Sequence, residues 1–227
     1  PGATAGKLLR AAGIENKRGK PPVDVVNASN IAFAGGRFEH STIGEIKGAI
    51  SYDLAAAYPA AVCGLPCLEH ASWRWIYDRR ELPPDARAVV NYHADELKHS
   101  TWGPLHLRTD NHLLWPVGEW IGWAWDREFR QAERWGSLDF LGAWVLDTTC
   151  KCAPFSWMHD LYEERLKWGK SERGRAIKLA SNAVWGRLAQ RVGRPPFYSP
   201  IWSGIVTSDV RARILEAILC APHSDSI

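Results

Sequence analysis

Two segments that lie far apart in the chain constrain its fold most strongly. Residues 48–53 predict a strand that ends at Asp53, and the alanine-rich stretch that follows predicts a short helix or a loop. Residues 171–190 repeat apolar side chains at helical spacing and place Lys178 and Asn182 one turn apart on a common face. An acid at the end of a strand, followed much later by such a helix, predicts a layered α+β domain.

The rest of the chain adds strands in its first half and helices in its second half. Residues 15–30 are polar and predict a linker or an exposed loop, and Gly35 with Gly36 predicts a tight turn. The remaining predicted elements are helices at 4–12, from 122–128 onward, at 156–167 and at 207–220 with Thr207 as N-cap, and strands at 86–93, 140–147 and 202–206.

Composition sets broad limits on the class of protein. The chain has 227 residues, of which 46% are hydrophobic, so it can bury a core of one or two domains. A net charge of +3 permits nucleic-acid binding without indicating it. No apolar run approaches the roughly 20 residues of a membrane span, and no targeting segment is visible. The chain begins at Pro1, so we expect it to be an excerpt of a longer protein.

Tryptophan and cysteine usage add two further expectations. Most of the 13 Trp residues fall between 73 and 168, which predicts an aromatic-rich subdomain with one or two rings able to stack on bases. The five Cys are an odd number without a signal peptide, which favours a reducing compartment. The pairs Cys63 with Cys67 and Cys150 with Cys152 lack zinc-ribbon spacing, even with His70 and His159 nearby, so the sequence does not favour a metal site there.

The chemistry open to these segments is phosphoryl transfer. Transfer to a hydroxyl needs divalent cations between carboxylates and cationic side chains on the phosphates. Asp53 suits the first role, although taken without the second segment the same position favours a helix N-cap. The face shared by Arg175, Lys178, Asn182 and Trp185 suits a nucleoside triphosphate, although a solvated basic face has the same composition.

The two segments resemble signature motifs of family B DNA polymerases. Residues 53–59, DLAAAYP, are similar to the motif D-x-x-S-L-Y-P, and residues 178–186, KLASNAVWG, to K-x-x-x-N-S-x-Y-G. Residues 33–36, FAGG, resemble the Y-x-G-G element of the same family. Residues 154–170 resemble its first fingers helix, 122–128 a stretch of viral and phage members, and 207–211 a palm helix. The resemblance is to viral, plasmid and protein-primed members, which implies a phage or viral protein in the cytoplasm of a host cell.

The resemblance implies a role for each matching residue. Asp53 would ligate two Mg²⁺ ions, with Mn²⁺ as a possible substitute, and Leu54 would offer its carbonyl. Lys178 would be catalytic and touch the triphosphate. The remaining implied positions are Tyr58 under the deoxyribose, Asn182, Trp185 and Gly186 around the nascent base pair, Arg165 with Lys167 or Lys170 on the outer phosphates, and Phe33, Gly35 and Gly36 on the template strand.

Several positions depart from the family pattern. Ala56 stands where Ser is usual, Ala57 where Leu is usual, Ala183 for Ser, and Trp185 for Tyr. Phe33 replaces a Tyr and lacks its hydroxyl. These departures bear on rate and fidelity more than on reaction class, and they also allow a catalytically inactive, nucleic-acid-binding relic of the same fold. An unrelated α+β domain is the third possibility.

The end of the chain is similar to the third family motif, D-T-D-S, with His223 for the first Asp. A helix leads directly into it and leaves too few residues for a strand. We therefore interpret residues 224–226 as the turn after the helix and expect the second catalytic Asp beyond Ile227. Asp225 as a metal ligand is the alternative.

These observations predict an antiparallel palm sheet backed by helices, with a helical fingers hairpin. Residues 1–30 would be a linker, 31–155 palm with an aromatic insert at about 64–150, 156–190 fingers, and 191–227 palm truncated before or at the third motif. The implied partners are primer–template DNA, deoxynucleoside triphosphates and, for protein priming, a primer terminal protein, without a membrane. The sequence does not choose between protein and nucleic-acid priming.

Overall fold

The computed structural model describes residues 1–36, 44–45, 47–48, 51–95, 103–110, 112–148, 150–193 and 195–220. These residues form an α+β fold with helices on both faces of an antiparallel sheet, as the sequence predicts. The helices are α1 Gly2–Ala11, α2 Val23–Ile31, α3 Ala57–Cys63, α4 Asp126–Ala132, α5 Trp157–Trp168, α6 Glu172–Ala189 and α7 Pro200–Cys220. The strands are β1 Ala71–Ile76, β2 Arg87–Asp95, β3 Leu107–Arg108, β4 Leu113–Leu114, β5 Trp120–Trp125 and β6 Ser137–Thr148.

Four strands form the main sheet in the order β1-β6-β2-β5, all antiparallel, and β3 pairs with β4 in a separate ribbon. The register between β2 and β6 shifts after Asn91, close to Gly142. A Cβ atom on Gly142 would lie 2.2 Å from the Trp75 ring, so the bulge depends on a glycine there. The sheet is therefore built from the aromatic-rich segment.

Alternate residues of the strands enter two separate hydrophobic clusters. On one face, Val89, Trp125 and Leu146 pack with α7, including Trp202 and Ile205. The cluster on the opposite face joins Val90, Tyr92, Ala143 and Val145 of the strands to Phe129 and Ala132 of α4. Helix α7 is therefore central to the larger cluster, and most tryptophans near the sheet are buried or half-buried.

Residues 15–30 do not form the predicted linker. They contain most of a short 3₁₀ helix, Ile14–Arg18, and most of α2. Helix α2 buries Val25 and Ala28 against the larger cluster, and the Arg18 guanidinium donates a hydrogen bond to the Tyr198 carbonyl at 3.1 Å. The polar residues around this segment face solvent while its few apolar residues face inward, a pattern too sparse for a periodicity count to detect.

The predicted strand at 202–206 is also wrong, because these residues lie inside α7. Ile201, Trp202, Ile205 and Val206 are all buried. A short, largely apolar run is consistent with a buried strand or a fully buried helix, and periodicity cannot distinguish them. Thr207 is therefore not an N-cap, and its hydroxyl donates to the Ser203 carbonyl one turn earlier at 3.1 Å.

The strand and the tight turn predicted near the motifs are not present in the described residues. Residues 51–54 have no regular secondary structure, and residues 49–50 lie outside the described residues. Gly35 and Gly36 continue an irregular segment instead of forming a turn. No helix in the described ranges has both the length and the apolar character needed to cross a membrane.

A buried histidine makes stability depend on pH. His106 is 2% exposed, and its Nε2 lies 3.2 Å from the Ile31 carbonyl. Burial is the largest effect and lowers the pKa of His106 to about 4. The nearby charge of Glu128 raises this pKa by a smaller amount, and the charges of Arg211 and Arg108 lower it. The neutral form is favoured in the folded chain, so its stabilisation is complete above the unfolded pKa of about 6.5 and is lost as pH falls towards 4.

A His106→Gln variant tests this dependence. Glutamine keeps a donor but does not titrate, so its free energy of unfolding relative to wild type should improve by roughly 2 kcal/mol between pH 7 and pH 5. Urea unfolding at both pH values measures the difference. Asp126, whose pKa burial raises to about 6, changes stability in the opposite direction over this range, but it is common to both proteins and cancels. A difference that does not vary with pH would contradict the assignment.

Candidate nucleotide and nucleic-acid site

Helices α5 and α6 form the helical hairpin predicted over 156–190. Gly169 ends α5 with φ 51°, a left-handed conformation that favours glycine. A Cβ on Gly174 would lie 2.2 Å from the Gly169 carbonyl oxygen, so the start of α6 approaches the end of α5 closely. The Ser171 side chain caps α6 by accepting a hydrogen bond from the Gly174 N–H at 3.2 Å.

A small polar network fixes the tip of this hairpin. Glu164 accepts hydrogen bonds from Trp168 Nε1 at 2.9 Å and from the Arg173 guanidinium at 2.8 Å. The Arg173 guanidinium also lies over the Trp168 ring, 4.4 Å from its centroid. These contacts join the end of α5 to the start of α6 and so hold the two helices of the hairpin together at its tip.

The cations predicted to hold phosphates, and the amide predicted to lie beside the base pair, are on this hairpin. Lys170, Lys178 and Asn182 are exposed and Arg165 is half-buried. Lys167 is exposed and approaches Glu164 only to 4.0 Å, a separation at which a surface ion pair contributes little. The structure thus leaves these donors directed largely to solvent, where an anion can reach them.

The two sequence motifs meet at an aromatic stack. The rings of Tyr58, at the start of α3, and Trp185, on α6, lie 4.7 Å apart between centroids at an interplanar angle of 18°. Trp185 Nε1 is buried and has no hydrogen-bond partner among the described residues. Gly186 beside it is exposed, with open space where a Cβ would stand. The fold therefore brings residues of both motifs, far apart in sequence, to one place.

The segment before α3 is exposed and carries backbone strain. Asp53 and Leu54 are exposed, and the Asp53 carboxylate makes no hydrogen bond or ion pair with another described residue. Ala56 is the N-cap residue of α3 and has φ 51°, a left-handed conformation. Asp53 is thus not the helix N-cap that its sequence position allowed. A left-handed alanine costs roughly 1–2 kcal/mol, and such strain concentrates at functional sites.

Replacing Ala56 by glycine should stabilise the chain, because glycine adopts this conformation without a Cβ clash. After the larger entropy of glycine in the unfolded chain is allowed for, we expect a gain of about 0.5–1 kcal/mol. The matched control is Ala60→Gly, at an exposed position within α3, which should lose about 1 kcal/mol. Chemical denaturation measures both, and a loss at both positions would show that Ala56 is not left-handed in solution.

A buried ion pair holds the segment that contains Gly35. Arg211 of α7 forms a bidentate pair with Glu128 of α4, with N–O distances of 2.6 and 2.8 Å. The same guanidinium donates to the carbonyls of Ala34 at 2.6 Å and Gly35 at 2.9 Å. The Glu128 side chain is fully buried and that of Arg211 is 6% exposed. The segment is therefore fixed through its backbone.

Two further arginines surround Phe33. The Arg108 guanidinium donates to the Phe33 carbonyl, and that of Arg191 lies over the Phe33 ring, 5.5 Å from its centroid. Burial, and next the nearby charge of Arg191, lower the pKa of Arg108. Arg191 also donates to Asn30 Oδ1 at 3.1 Å and is exposed. This cluster puts positive charge beside the segment that the resemblance assigns to a template strand.

Sequence reasoning missed these supporting residues. Glu128, Arg211, Arg108 and Arg191 lie far from Phe33 in sequence, and a charged residue gives no sign of whether it is buried with a partner. No group of three or more potential metal ligands in the described part of the chain includes Asp53. Asp225, the other candidate ligand, lies outside the described residues.

The fold is related to that of DNA polymerases. Three solved structures of phi29 DNA polymerase share it. The orthorhombic crystal form has a TM-score of 0.66 at 12% identity, over 95% of this chain and 44% of that chain. The complex with primer–template DNA has a TM-score of 0.59 at 11% identity, over 90% of this chain and 42% of that chain. The ternary complex with primer–template DNA and incoming nucleotides has a TM-score of 0.62 at 11% identity, over 96% of this chain and 45% of that chain.

At such identities the likeness concerns the fold, and this chain spans less than half the length of those polymerase chains. No protein-family model matches the sequence, and no curated protein matches it either.

Proposed function

We propose that this chain is the palm-and-fingers part of a DNA-directed DNA polymerase of the family B, protein-primed-like branch. It would add deoxynucleotides to a primer 3′-hydroxyl or to a primer-protein hydroxyl. The observation that carries the proposal is the stack of Tyr58 on Trp185, because it joins the two motifs in one place. A related fold occurs in a polymerase solved with primer–template DNA and incoming nucleotides.

The α5–α6 hairpin supplies the groups that a triphosphate needs. Lys178 would contact the phosphates next to the reacting centre, and Arg165 with Lys167 or Lys170 would bind the outer phosphates. The exposure of the three lysines supports this, since a solvated cation can exchange water for phosphate oxygens. Asn182 and Trp185 would line the base-pair pocket, and Tyr58 would exclude a 2′-hydroxyl. The open space at Gly186 allows close approach of a base.

Asp53 is the carboxylate that would hold divalent metal. An exposed carboxylate next to an exposed backbone suits Mg²⁺, which prefers a few carboxylates, water and phosphate oxygens. Two bound Mg²⁺ ions would stabilise the attacking and leaving oxygens of the transfer. Asp53 alone does not complete such a site, so a second carboxylate outside the described residues is part of the proposal.

The template strand would pass the segment at Phe33, Gly35 and Gly36. The backbone carbonyls of Phe33, Ala34 and Gly35 already accept hydrogen bonds from the guanidinium groups of Arg108 and Arg211. The exposed Arg191 guanidinium over Phe33 remains available to a phosphate. Binding there would be independent of base sequence and sensitive to salt.

A second candidate function is a nucleic-acid-binding relic without catalysis. It is favoured by the alanines at positions 56 and 57, and by the finding that no group of three or more potential metal ligands in the described part of the chain includes Asp53.

Primer extension separates the two functions. The complete gene product is incubated with a labelled primer–template, four deoxynucleotides and Mg²⁺, and DNA binding is measured in parallel by fluorescence anisotropy. Extension with binding supports the polymerase. Binding without extension in Mg²⁺ or Mn²⁺, with either a DNA primer or a protein primer, supports the relic, and neither activity would contradict both proposals.

A further inference from the structure

A cluster of three cysteines and a histidine lies at one end of the main sheet. Cys67 and His70 precede β1, and Cys150 and Cys152 follow β6. Strands β1 and β6 are antiparallel neighbours with Ala71 opposite Thr148, so both pairs emerge at the same sheet end. One potential ligand atom from each of the four residues lies within 4.8 Å of all the others.

The distances within the cluster fit a tetrahedral metal ion. His70 Nδ1 lies 3.5 Å from Cys67 Sγ and 3.6 Å from Cys152 Sγ. Bonds of about 2.3 Å to sulfur and about 2.05 Å to nitrogen, at a tetrahedral angle, separate the two ligand atoms by about 3.6 Å. The side chains are thus already spaced as ligands across a common centre.

We propose that Cys67, His70, Cys150 and Cys152 bind one structural Zn²⁺ ion. Three thiolates and an imidazole are a donor set that zinc prefers, and four protein ligands leave no position for water or substrate. A disulfide is the rival use of these cysteines, but it joins only two sulfurs and gives His70 no part. Cys63 is close to Cys67 along the chain, and His159 is close to Cys152, but neither Cys63 nor His159 belongs to the cluster.

The ion would join two segments that lead to the candidate site. Residues 64–70 follow α3, which carries Tyr58, and residues 150–156 lead into α5. Both segments pack on Trp202, whose Nε1 donates to the Pro66 carbonyl at 2.9 Å and whose ring meets Phe155 edge-to-face at 5.0 Å. Zinc would cross-link the base of the α5–α6 hairpin to the sheet and to α3. The proposal does not depend on polymerase activity.

Metal analysis of the complete chain tests the site directly. The protein is expressed with zinc in the medium and purified without chelator. Inductively coupled plasma mass spectrometry should then find one zinc ion per chain. Replacement of zinc by Co²⁺ should give a sulfur-to-metal charge-transfer band and the visible bands of a tetrahedral ion. Removal of zinc by a chelator should lower the unfolding temperature, and added zinc should restore it.

Variants separate this site from adventitious binding. His70→Ala and Cys152→Ser change exposed side chains, so they should fold while their zinc content falls to trace levels. Cys63→Ser and His159→Ala are the matched controls and should keep one zinc per chain. The proposal is overturned if wild type binds neither zinc nor Co²⁺, if the controls lose metal as the ligand variants do, or if intact mass shows a disulfide among these cysteines in freshly purified protein.

Discussion

An Asp53→Asn variant of the complete gene product should lose nucleotide incorporation by about a thousandfold or more and keep primer–template binding. Asparagine has nearly the same shape but carries no charge, so it is a poor ligand for Mg²⁺. A catalytic metal stabilises the transition state by several kcal/mol, and about 4 kcal/mol corresponds to a thousandfold in rate. Asp53 is exposed and makes no hydrogen bond or ion pair with another described residue, so its replacement should leave the fold intact.

The matched control for Asp53 is Asp85→Asn, an exposed carboxylate in a turn before β2. It should extend primers at the wild-type rate. Single-turnover incorporation measures the rate, and anisotropy at fixed salt measures DNA affinity. An Asp53→Asn variant that extends primers within tenfold of wild type would remove Asp53 from the metal site. A parallel loss of DNA affinity would indicate a structural role instead.

The helical hairpin and the meeting of the two motifs could be predicted from sequence. Residues 156–190 carry a repeated apolar pattern long enough to specify two helices, and Ser171 and Gly169 mark the turn between them. The contact between Tyr58 and Trp185 follows from the motif resemblance and not from local propensity, because nothing near Tyr58 in the chain indicates a partner so far away.

Other features could not be predicted, for identifiable physical reasons. Residues 202–206 are buried on all sides because α7 is central to the core, so the run lacks the exposed polar face that marks most helices. The three cysteines and the histidine of the cluster come in two pairs, one just before β1 and one just after β6 in the sequence, and only the antiparallel register of these strands brings the pairs together. Burial of Glu128 depends on its ion pair with Arg211, which lies 83 residues further along the chain.

Glu128→Ala should destabilise the chain by about 3–5 kcal/mol, because it leaves the Arg211 guanidinium buried without its carboxylate. That loss is a large part of the roughly 5–15 kcal/mol that holds an ordinary domain together. Arg211 also holds the carbonyls of Ala34 and Gly35. We therefore expect faster amide hydrogen exchange around these residues, and weaker binding of primer–template DNA if this segment contacts the template.

The matched control is Glu133→Ala, at the end of the same helix. Glu133 forms a bidentate pair with Arg79, with N–O distances of 3.2 and 3.0 Å, but both side chains are 34% exposed. Solvent screens that pair, so its loss should cost about 0–1 kcal/mol. Removing both buried charges in a Glu128→Met, Arg211→Met double variant should cost less than the two single changes added together, since no charge is then left unpaired. Equal losses at Glu128 and Glu133 in urea unfolding would show that the Glu128–Arg211 pair is hydrated in solution, and the segment at Ala34 and Gly35 would then need another anchor.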